Sequence, residues 1–305
     1  MSSACPNPIE SRGVIERDGF TAPDGREIVH WRWPQSQARP TLHWAHATGF
    51  HGRLYRPLLD ELAGDCNVLA WDMRGHGASA EAADIAAFRG WETYYKDLTA
   101  FLDSLSEPIW LAGHSIGATT SIMAAARRPD KVLGLILAEP VIMDPWQGWS
   151  LWLAKLLRQS YRFSLAAGAA RRRRVFDSHA AALDNFRGRG GFKTWPEVWV
   201  EAYVQHGLVQ HGDHVRLACT PEWESNTFVH TEHNPWPGIR RLQCPVIAFA
   251  AERASTFSPM ARQRLRALLP FAEVNVLAGT THFLPMERPD AVRDAVRQAM
   301  LPKTT

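Results

Sequence analysis

A chain of 305 residues, 46% apolar and 21% charged, can bury one large core or a core with an inserted piece. Its formal net charge of +3 provides no general attraction to nucleic acid or to a membrane, and neither is expected as a partner. Cys5, Cys66, Cys219 and Cys244 stand far apart with no Cys-x-x-Cys pair, which argues against a disulfide frame or a zinc site. No run reaches the roughly 18 apolar residues of a membrane helix. Met1 to Ile9 lacks the basic-then-apolar pattern of a secretory leader, so the cytoplasm is the expected location.

Residues 1–12 are polar, with two prolines, and are expected to be flexible. Gly13–Phe20 and Arg26–Trp33 flank Asp24-Gly25, a hairpin signal at a sheet edge. Thr41–Ala45 reads as a third strand, running into His46-Ala47-Thr48-Gly49-Phe50-His51-Gly52. Tyr55–Ala63 has helical apolar spacing at Leu58, Leu59 and Leu62. Asn67–Trp71 is another buried strand, leading to Asp72-Met73-Arg74-Gly75-His76-Gly77-Ala78-Ser79, and a helix is expected from about Trp91 to Leu105. Val132–Ala138 is almost wholly apolar, as a strand covered on both faces should be. Such alternation of strands and helices predicts a mostly parallel, doubly wound sheet.

The alternation stops near Val141 and resumes at Cys244–Ala250. The residues between show no clear buried strand and several helix-compatible stretches, namely Gly148–Ala167, Ser178–Phe186 and Pro196–His206. A mostly helical cap over one end of the sheet is expected. It holds seven of the thirteen tryptophans, several of them expected to line an apolar cleft. Strand (Glu273–Val276), loop and helix (Pro289–Met300) close the chain.

The chemistry centres on Gly113-His114-Ser115-Ile116-Gly117, between an apolar strand and a helical run. A serine on so tight a strand-to-helix turn needs glycines where backbones crowd, and the turn lifts its hydroxyl beside the free N–H groups of a helix start. This is the spelling of a nucleophile elbow. With Asp72-x-Arg74-Gly75-His76-Gly77-x-Ser79 before it and Gly279-Thr280-Thr281-His282-Phe283-Leu284-Pro285 after it, the chain resembles the α/β-hydrolase superfamily from about Val14 to Met300. More narrowly, it resembles the capped, lipase/esterase-like branch. The resemblance implies an eight-stranded sheet with core segments 13–140 and 241–302 and a cap, 141–240, between strands six and seven. It also implies Ser115 as nucleophile and His282 as general base, then general acid.

The third member departs from the superfamily's common pattern. Where an Asp often follows the seventh strand, this chain has Ala251-Glu252-Arg253-Ala254, and Ala254 cannot orient a histidine. Glu139, directly after the apolar sixth strand, is the favoured acid, because a carboxylate placed there needs a partner and some branches take their acid from this strand. Glu252 is the alternative. The oxyanion hole is expected to use the N–H of Ile116 and one from the His46–His51 loop, at Phe50 or Gly49. His46 and His51 are read as bracing that loop, and Asp72 and Arg74 as tying its neighbour to the sheet.

Other features read as structural. His206, His211, His214, His230 and His233 show no trusted ligand spacing, so no metal is expected, and no cofactor. Arg171 to Arg174 read as a solvated face or cap salt bridges. The expected activity is hydrolysis of a small-to-medium hydrophobic or aromatic ester. Lactone, thioester or carbon–carbon hydrolysis on the same residues is the alternative, and a non-catalytic binding protein is a third reading. A homodimer is left open.

Overall fold

Strand-rich segments at the start of the chain set up the sheet edge. In a computed structural model, which describes residues 14–36, 39–157, 164–232 and 234–300, β1 (Glu16–Thr21) and β2 (Glu27–Arg32) pair antiparallel. Their turn closes at Gly25, whose φ of 85° suits a residue without a side chain. The expected flexible residues 1–12 and Cys5 lie outside the described residues.

The main sheet continues through β3 (Thr41–Ala45), β4 (Asn67–Trp71), β5 (Ile109–His114) and β6 (Val132–Ala138). A small sheet interrupts it, made of β7 (Val175–Phe176), β8 (Leu208–His211) and β9 (His214–Leu217). The main sheet ends with β10 (Val246–Ala251) and β11 (Glu273–Leu277). Its order is β1-β2-β4-β3-β5-β6-β10-β11, with β3 to β6, β10 and β11 parallel, as the alternation predicts.

Helices lie on both faces. The core helices are α1 (Arg56–Leu62), α2 (Glu92–Asp103) and α3 (Ile116–Arg127). Between β6 and β10 come α4 (Pro145–Leu156), α5 (Ser164–Ala170), α6 (His179–Phe186), α7 (Glu197–Gly207), α8 (Pro221–Val229) and α9 (Trp236–Ile239). After β10 follow α10 (Pro259–Leu268), α11 (Leu284–Glu287) and α12 (Pro289–Met300). No helix among the described residues is long and apolar enough to cross a membrane.

β6 shows why its sequence is so apolar. Leu135 and Leu137 belong to the core packed around α2, α3 and α10, while Ile136 and Ala138 belong to the core under α1 and α12. Both faces are covered, and each fully buried leucine or isoleucine contributes about 1.5–3 kcal/mol.

The helix-compatible stretch Gly148–Ala167 overlaps α4 and α5, with 158–163 outside the described residues. The segment between β6 and β10 departs from expectation in one way, since it also contains three antiparallel strands of order β7-β9-β8. Their hairpin turns at Gly212-Asp213, where His211 pairs with His214 and Gly212 has φ 57°. The Gly-Asp pair between Leu208-Val209 and Val215-Leu217 was the available signal, a two-residue hairpin turn hidden among short strands.

Candidate active site

Sheet register brings the site together. Parallel β5 and β6 align His114 with Ala138, so the residues that follow, Ser115 and Glu139, leave the same sheet edge side by side. The Ser115 N–H donates to Ala138 O (3.0 Å), and the Glu139 N–H to Phe249 O of β10 (2.8 Å). Ser115 has φ 57° and ψ −120°, a backbone state that costs of order 1–3 kcal/mol for a residue with a side chain. A Cβ on Gly113 would strike the backbone of Gly117 and Ala118, and one on Gly117 the carbonyls of Ala45 and His46. Both glycines are therefore required for the turn to seat against the β3 loop.

Glu139 is fully buried, with φ 50°, and its side chain is enclosed by donors. One carboxylate oxygen accepts from the Ala251 N–H and the Ser255 hydroxyl, both at 2.6 Å. The other accepts from the Thr256 N–H (2.9 Å) and from His282 Nδ1 (3.0 Å). Burial pushes this carboxyl up, but the hydrogen bond and charge of His282 and the bonds from Ser255 and Ala251 outweigh it, so its pKa lies below the ordinary value. An ionised Glu139 fixes the Nδ1–H tautomer of His282. That leaves Nε2 without a partner among the described residues.

The loop after β10 has exchanged roles with the loop after β6. Ala254 cannot hold a histidine, yet its neighbours Ser255 and Thr256 supply the donors that hold Glu139. Glu252 is exposed and accepts from the Gly279 N–H (2.9 Å), bracing the turn before His282 rather than its ring. Glu287 fixes the same loop by accepting from the Thr281 N–H (2.6 Å) and hydroxyl (2.7 Å).

A buried relay escaped sequence reasoning. The Ala47 N–H donates to Tyr55 Oη (3.3 Å), the Tyr55 O–H to His114 Nδ1 (2.8 Å), and the His114 Nε2–H to His282 O (2.7 Å). Burial and the nearby His282 hold the His114 pKa well below its ordinary value, so it stays neutral and the directions are set. No motif spacing announces a contact across 59 and then 168 residues.

The loop expected to supply an oxyanion donor, His46 to His51, is a tight turn. Ile116 opens α3, so its N–H is one of those a helix leaves without an internal carbonyl. The Phe50 N–H, however, donates to Ala47 O (3.1 Å), closing a turn whose third residue, Gly49, has φ 78°. The Phe50 N–H is thus engaged, while the N–H groups of Thr48 and Gly49 make no backbone hydrogen bond among the described residues. His46 and His51 brace this region: His46 Nε2 accepts from the Met73 N–H (2.8 Å), and His51 Nδ1 caps Leu54 (3.0 Å).

An aromatic wall stands beside these groups. Phe50 lies 5.3 Å from Trp195, 6.3 Å from Phe283 and 6.2 Å from His114 between ring centroids. Of the seven tryptophans in the segment between β6 and β10, several of them expected at the cleft, Trp195 is the one packed against Phe50 and Phe283. Trp199 packs on Tyr55, Trp223 bonds Arg74 O and Trp236 bonds Met143 O, while Trp146, Trp149 and Trp152 are exposed. Arg172 reaches this side with one terminal nitrogen on Glu224 and the other on Tyr203 Oη, each at 2.6 Å.

The remaining expectations settle structurally. Arg74 bridges Asp97 and Asp24, and Asp72 accepts from Trp31, Gly52 and Ala78. His206 packs edge-on to His51, His211 and His214 pair across the hairpin, and His230 bonds its own helix. His233 lies outside the described residues. Cys66, Cys219 and Cys244 are buried free thiols.

Comparison with known proteins places the chain. Residues 43–295 match the model of the alpha/beta hydrolase family. Human monoglyceride lipase is 30% identical over 128 residues, 39% of this chain and 41% of the lipase, so the match spans about two fifths of that relative. A 2-(acetamidomethylene)succinate hydrolase of Mesorhizobium japonicum is 23% identical over 84% of this chain and 86% of its own. Among solved structures, an E-2-(acetamidomethylene)succinate hydrolase superposes with TM-score 0.76 at 19% identity, over 93% of this chain and 98% of that one. A thioesterase domain from a curacin biosynthetic pathway gives 0.71 at 19% identity, over 93% and 99%. With a parallel sheet, a serine on a strained turn and a family match across most of its length, the chain belongs to the alpha/beta hydrolase family.

Proposed function

We propose that the protein is a cofactor-free serine hydrolase of the capped, lipase/esterase-like kind, cleaving a carboxylic ester through an acyl-enzyme. Ser115 Oγ attacks the ester carbonyl while His282 Nε2 takes its proton. Nε2 then returns that proton to the leaving alcohol, and in the second half activates water against the acyl-enzyme. Glu139 holds the imidazole in the required tautomer and stabilises the imidazolium, a task that needs its carboxyl ionised. The N–H groups of Ile116 and Thr48 serve the developing oxyanion, with Gly49 the alternative to Thr48, because the Phe50 N–H is engaged by Ala47 O.

The observation that carries this reading is the Glu139–His282 hydrogen bond beside a strained Ser115. A binding protein has no need of a buried carboxylate held by the Ala251 and Thr256 N–H groups and the Ser255 hydroxyl only to orient one imidazole. The wall of Phe50, Trp195 and Phe283 suits an apolar or aromatic substrate, with the segment 141–240 serving as the cap. Arg172, already neutralised by Glu224, is not free to select an anion. The thioesterase among the structural neighbours supports acyl transfer to water as the reaction class.

Labelling with an aryl organophosphonate tests it. Wild type should be modified at Ser115 and lose aryl-ester hydrolysis, and Ser115→Ala should be neither labelled nor active, with a loss of about 10⁴–10⁶ in kcat. A folded wild type that is neither labelled nor active would leave the site as a binding site only.

A further inference from the structure

One surface of the molecule is unlike the rest. Along α4, Trp146, Trp149, Trp152, Leu153 and Leu156 are 62%, 69%, 42%, 48% and 64% exposed. Steps of three and four residues put them on one helical stripe, and the Trp149 and Trp152 rings meet edge to face at 5.4 Å. Leu157, just past the helix, and Leu165 on α5 are also more than half exposed. Scattered exposed leucines are ordinary in soluble proteins. A continuous stripe with three indoles marks a surface that something covers.

Charge indicates what covers it. From Pro145 to Phe176 the sequence has seven Lys or Arg and no Asp or Glu, although the whole chain is only +3. Arg172 and Arg174 are engaged by Glu224 and Glu222, whereas Arg171 and Arg173 are exposed at the far end of α5. The charge balance of the full chain hides this local excess. We propose that α4 docks on an anionic lipid surface, its indoles and leucines at the headgroup–acyl boundary, with exposed cations of the same segment, Arg171 and Arg173, meeting lipid phosphates. Tryptophan is favoured at that boundary because the ring is apolar and its N–H is polar. An interfacial helix needs an apolar aromatic face and cations near it in the chain, and the sequence from Pro145 to Phe176 supplies both. A second copy fits less well, since α4 against α4 would bring two acid-free, basic surfaces together.

The placement bears on substrate. α4 begins six residues after Glu139, and the intervening turn is pinned where Met143 O accepts from Trp236 and Asp144 from Ser258. Docking would set the Glu139 end of the sheet at the lipid surface, which makes a lipid-borne ester the substrate class. That last step rests on the hydrolase reading above; the docking itself does not.

Vesicle co-sedimentation separates the two. Wild type should bind vesicles of equimolar phosphatidylcholine and phosphatidylglycerol, with a blue shift in tryptophan emission, and bind pure phosphatidylcholine at least about tenfold more weakly. The triple variant Trp146→Ala, Trp149→Ala, Trp152→Ala should lose about tenfold or more in affinity for the anionic vesicles while hydrolysing a soluble aryl ester as wild type does. Arg171→Ser with Arg173→Ser should weaken binding several-fold and flatten its salt dependence, and this arm decides if the triple variant does not fold. Ser115→Ala should bind as wild type, so docking survives even if hydrolysis fails. No binding of wild type to anionic vesicles, equal binding to both compositions, or a dimer in sedimentation analysis that the tryptophan variant abolishes would overturn the proposal.

Discussion

The sheet edge holding Ser115, Glu139 and His282 and the segment between β6 and β10 solve opposite problems. At the sheet edge, strained backbone and a buried carboxylate persist because neighbouring strands and loops hold them from several sides. In the segment, short strands and helices pack partly on the core and leave α4 open. Trp199 and Trp149, only fifty residues apart, show the contrast: one is buried against Tyr55, the other is 69% exposed. Strain and charge are kept where contacts over-determine them, and exposed apolar surface where a partner can complete it.

Substitutions that probe each side should differ sharply. Trp199→Ala should cost about 3–5 kcal/mol in chemical denaturation, the range for removing a large buried aromatic. A loss below 1 kcal/mol would mean the segment is not anchored on Tyr55. Next comes Thr48→Pro, which deletes one N–H while proline suits the second position of the Ala47–Phe50 turn. It should lower kcat for an aryl ester about 10²–10³-fold with thermal stability little changed. Unaltered kcat would assign the oxyanion role to Gly49.

Acid should act on the core. Burial holds His43, His46 and His114 well below the ordinary imidazole value, His30 to about 3, and His51 and His76 to about 4. These folded values lie below the unfolded one, so the unfolded chain binds more protons as pH falls through about 6.5. Each such histidine then removes about 1.4 kcal/mol of stability per pH unit until its folded value is reached. Glu139 adds to this at lower pH: its depressed carboxyl stabilises the fold above the ordinary glutamate value, and that contribution is lost as pH falls through the folded one. Urea midpoints should be level near neutrality and drop steeply between pH 6.5 and 5; a flat profile there would mean the histidines ionise in place. The smallest effect belongs to Trp149→Ala, within about 0.5 kcal/mol in lipid-free buffer.

Legibility in the sequence followed the same division. β6 was readable because an unbroken apolar run is what burial on both faces demands, and the elbow because Gly113 and Gly117 stand where no side chain fits. Glu139 was readable as a charge following an apolar strand. Its shell was not: Ser255 and Thr256 are common loop residues, and their role arises only when parallel register sets β10 beside β6. The Tyr55–His114 relay was hidden for the same reason, being a product of packing rather than spacing. In the segment, β7 is two residues long and β8 and β9 are four each, too short for alternation to stand out. The count of tryptophans there does not say which of them line a cleft, and helical spacing turns three of the seven outward.

The most direct test of the central claim is aryl-ester hydrolysis by folded Glu139→Gln and Glu252→Gln. Glutamine at 139 keeps the shape but loses the charge and offers His282 the wrong partner, so kcat should fall about 10³–10⁴-fold. Glu252→Gln should stay within a few-fold of wild type, because Glu252 only braces the turn at Gly279. The reverse result, with Glu139→Gln active and Glu252→Gln dead, would contradict the account.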